Sequence, residues 1–401
     1  MPGLPLASWF KILLIIVALV APFVWAFGFA AYYALGVGPS MYIMPLAEIA
    51  LLLVLLRVAL VASGIRVPGI TAPEAKPGRF DVLSDVTVPS RIFIVPTIVA
   101  VLGVLVGFFL AAAFRAAHKP IEPAALVQLH THTILIAASS VIMLLALRAM
   151  NVNERFFNLA IRISQIAVPL VFLGLLAFNI FKLHSIVWVI PSAIYFILPL
   201  SVFLTAIGLI SRAGEPSLAF APATRMSIAF ASLVLIVLIA TGAYIALKWD
   251  TSPDVTITFK QKEWPFVGPY PDPAMGYPGT APVRNTPRGL ETAHYSPGSW
   301  LHVAIAWIIA LALISRIFYL LAITVPIAPF FNALGRYLAW APPIGPAAPA
   351  LMVPDPLFKA APPGAGALLY AGHPFKAFNI IALFILGIAL LYIMSKTKET
   401  R

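Results

Sequence analysis

The sequence predicts an all-α, polytopic transmembrane helical bundle of nine or ten spans. Three observations carry that class. Of the 401 residues, 61% are hydrophobic and only 10% charged, whereas a soluble domain carries about 25% charged residues. The apolar residues gather into runs long enough for a hydrocarbon core, which a helix of about 20 residues crosses. Lys and Arg are also shared unevenly between the connecting segments, the asymmetry that orients membrane proteins.

The spans are justified in order. Residues 10–36 form a first run; no small-residue cleavage site interrupts it clearly, so it reads as a span and not as a removed signal peptide. Runs at 43–64, 92–115, 126–148, 159–181, 184–211 and 226–248 follow, and 299–323 and 375–395 complete nine. We name the N-terminal side B and the opposite side A. Side B then holds the loop 65–91 (Arg66, Lys76, Arg79, Arg91), the turn 148–162 (Arg148, Arg155, Arg162) and the turn 212–225 (Arg212, Arg225). The short side-A loops hold Arg115, Lys119 and Lys182. Side B is therefore expected to be cytoplasmic, with the chain in a prokaryotic plasma membrane.

Three regions result. Residues 1–248 are a transmembrane bundle. Residues 249–298 are an external loop or cap on side A, with VTITF as a short alternating strand and Trp264, Phe266, Tyr270 and Tyr277 among Pro and Gly. Residues 299–401 carry further spans around a Pro-rich segment, 324–373, expected to be interfacial or re-entrant. Nine spans leave the C-terminal SKTKETR on side A, against the charge bias. A tenth crossing within 324–373 restores agreement.

Several chemistries are excluded. The chain has no cysteine, so disulfides, iron–sulfur clusters and covalently attached c-type haem are impossible. No Lys/Arg run interleaved with aromatics points to nucleic acid, and the net charge of +12 reads as a basic membrane-side surface. No phosphate loop, dinucleotide fingerprint, HExxH, GxSxG or calcium loop occurs. Paired intramembrane carboxylates and inverted repeats of broken helices, marks of many coupled transporters, are absent from the sequence.

The histidines are the distinctive polar residues. His118, His130, His132, His184, His294 and His302 all fall towards side A, and only His373 falls towards side B. Imidazole is costly in hydrocarbon and turns to a bundle interior or cavity, and it is the commonest metal ligand. In LVQLHTHTILIAASSVIMLLAL, His130 and His132 are two residues apart. At 100° per residue they point about 200° apart. They cannot chelate one metal side by side, but each can face a different neighbour. Haem ligation, a copper or other metal site, and interfacial histidines bonded to loop carbonyls or water are the readings open for the pair.

LHTHTILIAASSVIMLLAL resembles the HxH helix of subunit I of the haem–copper oxidase superfamily, and that of smaller haem-binding membrane proteins of the nitric-oxide-response kind. In that family one histidine of the pair binds a low-spin haem and the other binds the active-site haem, near the outer membrane face. The resemblance covers about twenty residues. This sequence lacks the family's glycine four residues after the pair, carrying the small residues Ala137 to Ser140 there, and has no adjacent His–His pair for a copper site. The resemblance therefore implies b-type haem and not dioxygen reduction. It implies bis-His or mono-His ligation, with His130 and His132 as axial ligands of one or two haems and His184 and His302 as the opposing ligands where there are two.

Other polar groups complete the expectation. Glu48 lies just inside the second span as a possible proton acceptor, able to take a proton from a quinol. Arg57, nine residues on, is about 13.5 Å deeper and could pair with a haem propionate, a quinone oxygen or a backbone carbonyl; interfacial exposure of Glu48 and snorkelling of Arg57 explain them as well. Gln165 and Asn179 suit helix–helix hydrogen bonds. Trp188, Trp300 and Trp307 suit an aromatic belt or a haem-pocket wall.

The expected function is a b-type haem subunit of a respiratory electron-transfer complex. It would move electrons between quinol and an external redox partner docked on 249–298, alongside other subunits in the lipid bilayer. One alternative is a cofactor-free membrane anchor or structural subunit. Another is a copper-handling protein or transporter, disfavoured because Met143 and Met150 sit on the side-B half of the histidine helix and copper(I) prefers such soft ligands.

Overall fold

The computed structural model describes residues 37–62, 65–71, 79–83, 86–115, 124–214 and 222–248, with scattered positions between 7 and 31. The first expected span is thus described only in part. The loop 249–298, the segment 324–373, the last two expected spans and His302 lie outside the described residues.

Six long helices form the described bundle: α1 (Ile43–Ala62), α2 (Arg91–Leu110), α3 (Ala124–Ala149), α4 (Glu154–Phe181), α5 (Ile186–Ala206) and α6 (Pro222–Lys248). A short three-ten turn, Gly38–Tyr42, leads into α1, and a π turn, Ala111–Arg115, extends α2. Five segments are long and apolar enough to cross a membrane: Gly38–Val61, Arg91–Ala113, Leu129–Ala149, Glu154–Phe181 and Ile186–Ala206. The described part is therefore a helical bundle compatible with an integral membrane protein. In α6 the apolar stretch is the shorter Leu235–Lys248.

Each helix packs on its successor, and α2 also meets α4 while α3 meets α5. The main core lies among α3, α4 and α5, where Met143, Leu144, Leu147, Leu175, Phe178, Tyr195 and Leu198 are all buried. The apolar residues pointing outward, such as Leu173, Ile190 and Phe109, would be errors on a soluble surface but suit lipid.

The connections have local causes. Asn151 adopts φ 55°, a left-handed conformation that Asn tolerates, and reverses the chain between α3 and α4. The Asn153 side chain accepts from the Arg155 N–H at 2.8 Å, which caps α4 and starts it at Glu154, before the expected 159. α4 ends on Lys182 in the left-handed conformation, φ 54°. In α5, Pro191 withholds the donor that the Val187 carbonyl would use. That carbonyl lies where a Cβ on Gly174 would collide with it, so the glycine lets α4 and α5 approach.

The ends of the bundle sort the loops. Ala213 N–H donates to the Asn151 carbonyl at 2.8 Å, and Val152 bridges to Arg212. The α3–α4 turn and the segment after α5 therefore share one end, side B. An antiparallel hairpin, β1 (Arg79–Leu83) and β2 (Val86–Pro89), belongs to that end too, pairing Phe80 with Val88 and packing β2 on α3. The all-α expectation missed this hairpin. At the other end, Ser185 Oγ donates to the Ala246 carbonyl at 2.7 Å, which joins the start of α5 to the end of α6 on side A.

Candidate functional site

The histidine helix is seated by glycines. α2 contains Gly103-Val-Leu-Val-Gly107, a small-xxx-small pattern that lets membrane helices approach closely. A Cβ on Gly107 would overlap the His130 ring, and one on Gly103 would press on Thr133 and Ile134. In this close approach His130 Nδ1 lies 2.9 Å from the Gly103 carbonyl oxygen. With the proton on Nδ1, the ring donates to that carbonyl, and the tautomer is set by the bond. The contact leaves no room for a porphyrin between His130 and α2.

His132 leaves α3 in another direction. Its ring lies 5.8 Å from that of Trp188 on α5, tilted by 59°. Its Nδ1 is 3.5 Å from Thr131 Oγ1, at the edge of hydrogen-bond range. The two histidines thus meet α2 and α5 separately, as their angular separation demands. Both rings are half-buried.

Trp188 is almost fully enclosed, yet its indole Nε1 has no hydrogen-bond partner; Thr133 Oγ1 is likewise buried and unpaired. A buried donor without an acceptor costs about 1–3 kcal/mol, so each asks for an explanation. Seven residues further into the membrane, the same two helix faces meet again. Ser139 Oγ hydrogen-bonds the hydroxyl of Tyr195, and both residues are buried. Ser139 Oγ also donates to the Leu135 carbonyl at 2.6 Å. The steps from 132 to 139 and from 188 to 195 are each seven residues, about 10 Å at helical rise. A polar seam thus runs inward from His132 and Trp188 to Ser139 and Tyr195.

The remaining expected residues are placed as follows. His184 is exposed at the start of α5, one turn outward of Trp188, and its Nδ1 accepts the Ile186 N–H at 3.2 Å. It therefore serves the helix start. Glu48 is half-buried on α1, and Leu52, one turn on, packs against the main core. The Tyr42 ring meets that of Phe108 with centroids 5.5 Å apart, tilted by 49°. Counting six residues from that contact along antiparallel α1 and α2 puts Glu48 level with Leu102 and Gly103, about 9 Å into the helix. Glu48 and His130 thus approach the same level of α2 from different neighbours. Arg57 is exposed, and nine residues turn it about 180° from Glu48. It does not join the histidine region.

Among the described residues, no cluster of three or more His, Cys, Asp or Glu is placed to hold a metal ion. What they place together is the half-buried imidazole of His132 and the buried indole of Trp188, whose Nε1 has no hydrogen-bond partner. Gly103 and Gly107 were not among the residues the sequence singled out, although their spacing within an apolar run was a readable signal. Ser139 and Tyr195 lie seven residues beyond His132 and Trp188, an offset that identifies them only once that pair is known. Comparison with protein-family models, curated proteins and solved structures finds no match.

Proposed function

We propose that this chain is a membrane electron-transfer subunit that holds b-type haem through His132. The observation that carries the reading is the pairing of half-buried His132 with the buried, unpaired Trp188 donor. A bound group that carries an oxygen would accept from the unpaired indole N–H, and His132 beside it would hold the group's metal. His130 then acts as a positioning residue that fixes α3 against α2. His302 and His184 are the further imidazoles that would help hold such a group. Bound haem would supply one-electron chemistry, tuned by its axial ligand and burial. Glu48, at the same depth, is the proton acceptor towards a quinol. Arg57, on the outer flank of α1, is reserved for a quinone oxygen or a second subunit. The 249–298 loop is the proposed docking place of an external redox partner.

A second reading has its own observation. His130 ties α2 to α3 and His184 serves the start of α5. Both histidines thus have structural duties, as in a cofactor-free anchor of a larger complex. A reduced-minus-oxidised visible spectrum of the purified protein, loaded with haem, decides between them. A b-type α-band is expected; a flat spectrum from folded protein selects the anchor.

A further inference from the structure

At the side-B ends of α2, α3 and α4 lies a cleft of about 170 Å³, lined among others by Arg91, Arg148, Glu154, Phe157 and Asn158. Arg148 is ion-paired with Glu154 and lies over the Phe157 ring at 5.3 Å. Arg91 Nη2 donates to Asn158 Oδ1, and Gln165 Nε2 donates to the Arg91 carbonyl at 3.4 Å. These two bonds lay the first residue of α2 along α4 between positions 158 and 165. Arg162 lies on the same stripe of α4, between them. Arg91 and Arg162 are both exposed, and among the described residues neither is paired with a carboxylate.

Both cations head apolar stripes. On α2, Arg91 is followed at seven-residue steps by Ile98 and Leu105, 45% and 49% exposed. On α4, Arg162 is followed by Ile166 and, seven residues later, Leu173, 54% and 52% exposed. Residues seven apart share a helix face, and α2 packs against α4. The groove between them is therefore cationic at its membrane-surface end and apolar inward.

We propose that this α2–α4 groove binds an anionic membrane lipid, with its phosphate on Arg91 and Arg162 and its chains along the two apolar stripes. Guanidinium forks suit phosphate oxygens, and basic pockets between spans recognise lipid headgroups. The apolar continuation selects a lipid over a free phosphate ion. The site is separate from the histidine region, which lies at the opposite end of the bundle.

The test uses the full chain in detergent after lipid removal. Phosphatidylglycerol, phosphatidylcholine and inorganic phosphate are added separately, and retained lipid and melting temperature are measured. Phosphatidylglycerol is expected to bind and stabilise the chain, and the other two are not. At about 1 kcal/mol for each arginine, R91Q/R162Q should bind it about thirty-fold more weakly, and R91K/R162K, which keeps the charge but not the fork, should fall between that variant and the unaltered chain. Arg162→Gln alone breaks no described hydrogen bond; it carries the test if the double variant unfolds, with a loss of about five-fold. Arg212→Gln, another side-B arginine, should change binding by less than about two-fold. An equal loss in R212Q would reduce the site to diffuse basic charge. Equal stabilisation by phosphatidylcholine would reduce it to an apolar belt, and equal stabilisation by inorganic phosphate would make it a site for soluble anions. Each of these overturns the proposal.

Discussion

Gly107 has no space for a methyl group, because the His130 ring lies where its Cβ would be. Gly107→Ala should therefore push α3 away from α2 and lower stability by about 1–3 kcal/mol, measured as thermal unfolding in detergent. His130→Ala removes the interhelical hydrogen bond to the Gly103 carbonyl, and such a bond is worth about 0.6 kcal/mol on average in membrane helices. It should cost less than the glycine change. Tyr195→Phe removes only the bond to Ser139, which keeps the Leu135 carbonyl as acceptor. Its cost should be about 1 kcal/mol, while Tyr195→Ala, which leaves a core cavity, should cost about 3–5 kcal/mol. If the two Tyr195 variants melt together, the side chain is not packed as described. At this scale the sequence was legible in one respect. The two-residue spacing of His130 and His132 already required different neighbours. It could not name those neighbours, because Gly103 and Trp188 come from helices whose rotation depends on the packing of the whole bundle.

Elements are bounded by their caps. Asn153→Ala removes the acceptor for the Arg155 N–H and should cost about 1 kcal/mol, with fraying confined to the first turn of α4. Lys182→Gly acts in the opposite direction. Lys182 holds φ 54°, a conformation in which glycine has no steric penalty, so this variant should melt at the same temperature or higher. A lower melting temperature would mean that the Lys182 side chain matters more than its backbone. The five spans from 43 to 211 were readable because hydrophobic runs of this length have few other meanings. Their ends shifted by several residues where caps, not hydropathy, decide. The β1–β2 hairpin was missed because RFDVLSDVTVP sits in a basic loop and its alternation is only a few residues long.

For the whole molecule, side B is where the hairpin, the α3–α4 turn and the Arg212 segment converge, and side A is where α5 starts and α6 ends. The chain has no native cysteine, so single cysteines report topology without background. Cysteines replacing Asn151 and Ala213 should react with an impermeant maleimide from the same side of oriented vesicles. One replacing His184 should react only from the other. Labelling of 151 and 184 from one side would break the bundle described here. The Lys/Arg bias of the sequence already grouped the loops at 65–91, 148–162 and 212–225, because each short connection reverses the chain once. Function was less legible, since two histidines on one helix suit a haem ligand and a packing contact alike.

In the proposed site His130 and His132 divide the labour, one positioning α3 and the other holding the haem. The most direct test is the reduced-minus-oxidised spectrum of haem-loaded protein carrying His132→Ala, beside the same spectrum for His130→Ala. His132→Ala should abolish the α-band while the protein stays folded, and His130→Ala should keep the band but melt at a lower temperature. A band of full intensity in His132→Ala, or none in the unaltered protein, would contradict this division.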